Sequence, residues 1–342
     1  MSNWNRDSSS PSIRSARKPD VRPVGIGLAG LGRWGRNYVK TLLALPECRL
    51  VAMADADPAT ADRLYAETGI PIRESADVLL TEPAVEAVVI ATPDRTHCSL
   101  ASAALAAGRD VLVEKPMALD PDEAEALAEQ AESSGRVLAV GHTAVYHPGF
   151  AELVDEIRSR PPDAEKRASA IRTSSGYADG RSNPILDLCP HDIALAVLLF
   201  GTPAAARARS DGQSVEYEVK FNGNKLLSGR AEWREPPHVR RFEVAGAKSA
   251  LRDETASRNS HDIRETPLGR QCLDFIECCR TRRQPLSSGR VGLAVMRCIA
   301  ALASSCADSG AWVQLKSELR MSNDECRVPD SGRRPSELGV RT

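Results

Sequence analysis

The sequence is nearly without net charge: 45 basic residues against 46 acidic ones leave -1 at neutral pH. No global field draws the chain to nucleic acid or to an anionic membrane, so a small soluble ligand is the expected partner. Long hydrophobic runs are missing too. No stretch approaches the roughly 18 apolar residues of a bilayer span, and no membrane association is expected. Residues 1–20 are rich in Ser, Arg, Asn and Pro and lack the apolar core of a secretory signal, which predicts a cytoplasmic location. Nine cysteines are present, but the spacing that would give them a shared task is not. Cys278 and Cys279 are adjacent, and no C-x-x-C pair or spaced Cys/His set occurs. Reduced packing thiols and no metal are the expectation.

A chain of 342 residues suits two domains of middle size. Strand-like runs at 24–29, 50–54, 88–91, 110–113 and 137–140 alternate with helical ones at 38–44, 59–67, 96–107 and 121–133. That order predicts an α/β domain, a doubly wound parallel sheet covered by helices on both faces. After a helix at 150–158 the pattern changes. Strands are expected at 168–173, 214–221, 225–233, 239–245 and up to Leu251, with helices at 187–200, 268–280 and 292–305. Consecutive strands predict a C-terminal α+β domain with a mixed, largely antiparallel sheet. The resulting boundaries are a polar, disordered tail at 1–20, a nucleotide domain at 21–142, a substrate and oligomerisation domain at 143–316 and a second polar tail at 317–342.

The first strand runs into Gly30-Leu31-Gly32-Arg33-Trp34-Gly35 and then a helix, the context in which G-x-G-x-x-G marks a dinucleotide site. Gly30 permits a tight turn, Gly32 lets backbone approach a pyrophosphate, and Gly35 allows the helix to pack close to the strand. The second strand ends at Asp55, placed to accept hydrogen bonds from an adenosine ribose. A carboxylate there would repel a 2′-phosphate, and Ala56-Asp57-Pro58 supplies no arginine to offset it. NAD is therefore expected over NADP in an N-terminal Rossmann domain. The polar segments after the later strands, Thr92 to His97, Glu114-Lys115-Pro116 and Gly141-His142, sit where such sheets bind ligands.

These motifs, with Ala91-Thr92-Pro93 and Asp187-Leu188-Cys189-Pro190-His191-Asp192, resemble those of the glucose-fructose oxidoreductase, inositol dehydrogenase and MocA family over nearly the whole chain apart from its tails. Trp34-Gly35 with Asn37, Tyr146-His147-Pro148, Pro190-His191-Asp192 and Trp233 followed by Val239-Arg240-Arg241 look most like the branch that oxidises nucleotide-linked sugars at C3. The resemblance implies a cofactor pocket lined by Gly30, Gly32, Arg33, Trp34, Gly35, Asp55, Thr92, Pro93, His97, Glu114 and Lys115, with Glu114 near the nicotinamide ribose. It also implies a catalytic set of Lys115, Asp187 and His191, and substrate contacts from Lys115, Tyr146, Arg172, Asn183 and His191, the specificity residing in loops such as 172–184.

By position alone Lys115 is as readily a solvated surface lysine, and the resemblance is what assigns it a role. Lys115 precedes a proline that restricts it to extended geometry and would aim its ammonium along the cleft. Asp187 is four residues before His191, where it either caps the helix or lies close enough to raise the basicity of the imidazole. His97 reads as structural, and His142 and His147 as scaffold or substrate-loop residues. The leading expectation is an NAD-dependent dehydrogenase acting on a secondary hydroxyl of a sugar, C3 of a nucleotide sugar. The alternatives are an inositol or free-sugar dehydrogenase, a ketosugar reductase, or a non-catalytic NAD-sensing protein. Alternation at Val215, Tyr217, Val219 and Phe221 with few helices to cover the strands predicts a leftover apolar sheet face and hence a homodimer or homotetramer.

Overall fold

In a computed structural model, residues 22–161, 164–176, 183–252 and 262–316 are described. The tails predicted at 1–20 and 317–342, and residues 177–182 of the specificity loop, lie outside them. The first unit runs β1 (Val24–Ala29), α1 (Arg33–Leu43), β2 (Cys48–Ala54), α2 (Pro58–Thr68), β3 (Ile72–Arg73), α3 (Ala76–Thr81), β4 (Ala87–Ile90), α4 (His97–Ala106), β5 (Asp110–Val113), α5 (Pro121–Ser133) and β6 (Leu138–Val140). The six strands pair in parallel in the order β3-β2-β1-β4-β5-β6. All residues of β1, β4 and β5 are buried, which explains their near-continuous apolar sequences: helices cover both faces. Helix starts follow local chemistry, with the side chains of Asp57 and Asp120 accepting from first-turn amides of α2 and α5.

The second unit comprises α6 (Pro148–Arg158), β7 (Lys166–Ser174), α7 (Pro184–Asp187), α8 (Cys189–Phe200), β8 (Pro203–Ser210), β9 (Ser214–Phe221), β10 (Lys225–Trp233), β11 (Arg240–Val244), β12 (Ala250–Arg252), α9 (Pro267–Thr281), α10 (Gly289–Ala307) and β13 (Val313–Gln314). Its sheet order is β12-β11-β7-β10-β9-β8-β13, with β7 and β10 parallel and the other pairs antiparallel.

Three differences from expectation have physical causes. Helix α9, expected to close the second domain, lies instead on the first sheet: Cys272, Phe275 and Ile276 share a core with Ile26, Leu28 and Tyr38. Two ion pairs fasten this segment to the first unit, as Arg282 donates to both oxygens of Asp110 at 2.7 and 2.8 Å and Arg264 to Glu47 at 2.6 and 2.9 Å. Helix α10 is long and apolar enough to cross a membrane by length and composition, against expectation. It is mostly buried and packs on β8, α5 and α8, which makes it a core helix. The apolar sheet face, finally, is not left over. Val215, Tyr217, Val219 and Phe221 are buried in one core with residues of α8 and α10 of the same chain. The opposite face carries charge ladders such as Arg207 with Glu218 and Arg230 with Glu216. Among the described residues, the apolar face on which the expectation of a homodimer or homotetramer rested is therefore covered within the chain.

Candidate active site

The strand order reverses between β1 and β4, which opens a crevice at their carboxyl ends. Gly30 sits there with φ of 89°, and a Cβ on it would fall 2.5 Å from the Ala91 carbonyl. A Cβ on Gly35 would fall 2.0 Å from the Gly30 oxygen, so α1 packs against the turn only because both residues are glycine. Gly32 faces open space, with nothing within 4 Å of a Cβ. It is the N-cap of α1, with no side-chain cap and no acidic residue in the first turn, and such a helix start suits a pyrophosphate. Arg33 is exposed and Trp34 partly exposed at this end. Asp55 lies against the same loop, its Oδ2 accepting from the Leu31 amide at 2.5 Å and its Oδ1 from the Asp57 amide at 2.8 Å. A helix start without a side-chain cap and a carboxylate beside it fit a dinucleotide with a free ribose diol.

The other wall comes from β4 and β5. The His97 ring is buried, with Nδ1 2.7 Å from the Pro116 carbonyl and Nε2 2.8 Å from that of Thr92, so it clasps the two strand-end loops together. Thr92 Oγ1 accepts from Thr96 at 2.7 Å, and Pro93 is exposed beside it. Glu114 is buried; Oε1 accepts from the Tyr38 hydroxyl at 2.8 Å, and burial raises its pKa. Tyr38 accepts from Gln271 Nε2 of α9 at 2.9 Å. Neither Tyr38 nor Gln271 was foreseen. The available signal was a polar Gln271 on the apolar face of its helix.

Lys115 leaves the end of β5 and crosses to the second unit, its Nζ donating to the Asp187 carbonyl at 2.9 Å and to Asp187 Oδ1 at 3.3 Å. Both side chains are nearly buried, at 10% and 7% exposure, so solvent screens the pair little. Asp187 Oδ2 accepts from Trp233 Nε1 at 3.1 Å, a second partner that sequence reasoning missed. The expected cap is corrected here: Asp187 ends α7, Leu188 interrupts the helix, and Asn183 caps α7 by accepting from the Leu186 amide at 3.0 Å. The basicity of His191 is lowered overall, not raised. That ring, in the first turn of α8, has its pKa lowered well below the usual value by burial, then by the positive charge of Arg172 and Lys115. It stands edge-on to His142 with 6.5 Å between centroids. His142, buried and 2.9 Å from Ser287 Oγ, is pushed down to about 3 by burial and by Lys115. Both imidazoles are neutral at pH 7, and the His191 ring is in the form that accepts a proton.

Two expected substrate residues also have structural partners. Tyr146 is buried and donates its hydroxyl to Asp274 at 2.8 Å, tying the loop after β6 to α9. Asn183 uses its Oδ1 on the cap. Arg172 is buried beside the site, with Nε and Nη2 donating to Asp192 Oδ1 at 3.0 and 2.6 Å.

Residues 24–142 match the model of the GFO_IDH_MocA oxidoreductase family, NAD-binding Rossmann fold. The class that this domain defines is that of NAD-binding Rossmann domains of an oxidoreductase family. Within it, the chain is 35% identical over 184 residues to UDP-N-acetylglucosamine 3-dehydrogenase of Acidithiobacillus ferrooxidans, a match covering 53% of this chain and 56% of the relative. The chain thus matches little more than half the length of that relative. It is also 27% identical over 267 residues to inositol 2-dehydrogenase of Rhizobium meliloti, covering 70% of this chain and 78% of that protein. Among solved structures, GenD2 from gentamicin A biosynthesis in complex with NAD superposes with a TM-score of 0.78 at 22% identity, over 90% of this chain and 100% of that one. At that identity the likeness speaks for the fold.

Proposed function

We propose that the protein uses NAD to oxidise a secondary hydroxyl of a sugar, C3 of a nucleotide sugar, to a ketone. The observation that carries this reading is the meeting of Lys115 with Asp187 across the two units, 2.9 Å from its carbonyl and 3.3 Å from its carboxylate, beside the neutral ring of His191. Asp187, itself held by Trp233, keeps the ammonium at a set place, where it donates to the substrate hydroxyl and stabilises developing alkoxide charge. His191 takes the hydroxyl proton as general base. NAD, when bound, supplies the hydride acceptor. Burial of Lys115 and Asp187 keeps water from weakening the interaction. Similarity to a nucleotide-sugar 3-dehydrogenase supports the substrate class, and the longer match to an inositol dehydrogenase supports a cyclic polyol as the second reading.

The test is incubation of the NAD-supplied protein with UDP-N-acetylglucosamine or myo-inositol, followed by mass analysis of the product. Mass analysis also detects turnover when reduced cofactor stays bound. A nucleotide sugar lacking two hydrogens is expected; oxidation of inositol alone would select the second reading.

A further inference from the structure

A chain of buried polar groups runs from α9 to the end of β5: Gln271 Nε2 donates to the Tyr38 hydroxyl at 2.9 Å, and Tyr38 donates to Glu114 Oε1 at 2.8 Å. The direction of the donors is fixed. An ionised carboxylate only accepts, so Tyr38 must donate to it, and the phenol oxygen then takes its hydrogen from the amide nitrogen of Gln271. That orientation leaves Gln271 Oε1 buried with no hydrogen-bond partner among the described residues. Tyr38 and Gln271 are 0% exposed and Glu114 6%. Three buried polar side chains with an orphan acceptor cost stability that apolar residues packed in their places would not. What the arrangement secures in return is the place of Glu114. Its other oxygen is confined as well: Oε2 accepts from the Lys115 amide at 3.2 Å and lies 2.8 Å from where a Cβ on Gly141 would fall. Burial raises the pKa of Glu114, and the Tyr38 hydrogen bond acts against that rise.

We propose that Tyr38 and Gln271 are positioning residues for the cofactor: they hold Glu114 as an oriented acceptor for the ribose hydroxyls on the nicotinamide half of NAD, an inference that rests on the site proposed above at Lys115. The path of the cofactor supports this. Its pyrophosphate lies at the start of α1, while its hydride-accepting end has to reach a substrate hydroxyl beside Lys115. The nicotinamide half therefore runs from the end of β1 past β4 to the end of β5, where Glu114 is the residue before Lys115. Tyr38 belongs to α1, the helix whose start faces the pyrophosphate. One rigid element thus sets the phosphates and, through the phenol, the carboxylate that meets the second ribose. Gln271 adds an anchor from α9, whose neighbours Cys272, Phe275 and Ile276 are packed in the core of the first unit.

The experiment measures the dissociation constants of NAD and of ADP by calorimetry on the full chain, for wild type, Tyr38→Phe, Gln271→Met and Glu114→Ala. ADP carries the adenosine and two phosphates but neither the nicotinamide nor its ribose, so the ratio of the two constants reports the nicotinamide half alone. Tyr38→Phe, which keeps the ring and removes only the hydroxyl, should weaken NAD about tenfold, the order of one hydrogen bond to a charged group, and leave ADP unchanged. Gln271→Met should shift the ratio in the same direction by about threefold, since it acts through Tyr38. A merely structural role would loosen α1 and weaken NAD and ADP alike, and that result overturns the proposal. A wild-type ratio in Tyr38→Phe overturns it too. Glu114→Ala then shows what has failed: if it alone weakens NAD relative to ADP, Glu114 meets the cofactor without help from Tyr38 and Gln271, and if it does not, Glu114 is no part of the pocket. The dehydrogenase reading fails separately, when no sugar or polyol is oxidised, because these affinities are measured without substrate.

Discussion

Asp55 and His142 show how a single side chain sets a measurable preference. The Asp55 carboxylate is held against the glycine loop by the Leu31 and Asp57 amides, so it is fixed in place before a ribose arrives. Replacing it, Asp55→Ala, removes an acceptor for the diol and a repulsive charge toward a 2′-phosphate. The ratio of kcat/KM for NAD over that for NADP should fall at least about tenfold, the factor of one charge-assisted hydrogen bond; an unchanged ratio would place cofactor selection elsewhere. His142 has a folded pKa of about 3 against an ordinary 6.5, because burial and Lys115 oppose its charge. The unfolded chain then binds the proton more readily below pH 6.5, so this residue's contribution to stability is intact above that pH and is lost as pH falls toward 3. Urea midpoints at pH 7 and pH 5 should therefore differ less in His142→Gln than in wild type. His191 adds to the same trend, since its pKa is lowered too.

At the scale of elements, Asn183 is the cap on which the placement of Asp187 depends, since α7 spans only four residues and ends at that carboxylate. Asn183→Ala should lower kcat roughly fivefold, in line with about 1 kcal/mol for a lost cap, whereas Asn183→Asp should restore it because an aspartate caps equally well. Equal loss in both variants would assign Asn183 a direct role toward substrate. The break at Leu188 was not legible because two capping residues, Asn183 and Asp187, precede one apolar run, and only packing decides which of them caps. Periodicity alone did place β5, α5, β9 and β10 at their observed limits, since each has a regular apolar rhythm between clear turn signals. It missed β8, whose Ala and Arg residues lack the β-branched character of a strand, and the two-residue β3 and β13, too short to carry a period. Glycine chemistry and polar strand ends made the cofactor side readable. Contacts between distant segments, Tyr38 with Gln271 and Trp233 with Asp187, have no local pattern and needed the folded chain.

For the whole molecule, the site exists only where the two units meet: the cofactor crevice and Lys115 come from the first, Asp187 and His191 from the second. Helix α9 locks the arrangement by packing on the first sheet after the chain has built the second, and Gln271 on it reaches Tyr38 and through it Glu114. The opposed charges on the outer face of the second sheet bear on assembly, since a partner there must match charge with charge and its binding should weaken with added salt. The most direct test of the two-unit active site compares oxidation of UDP-N-acetylglucosamine by wild type, Lys115→Ala and His191→Ala, with product read by mass and NAD affinity measured in parallel. Each variant should lose at least about a hundredfold in turnover while holding NAD nearly as wild type does, because both groups act on the substrate hydroxyl. Near-normal turnover in either variant would contradict the assignment.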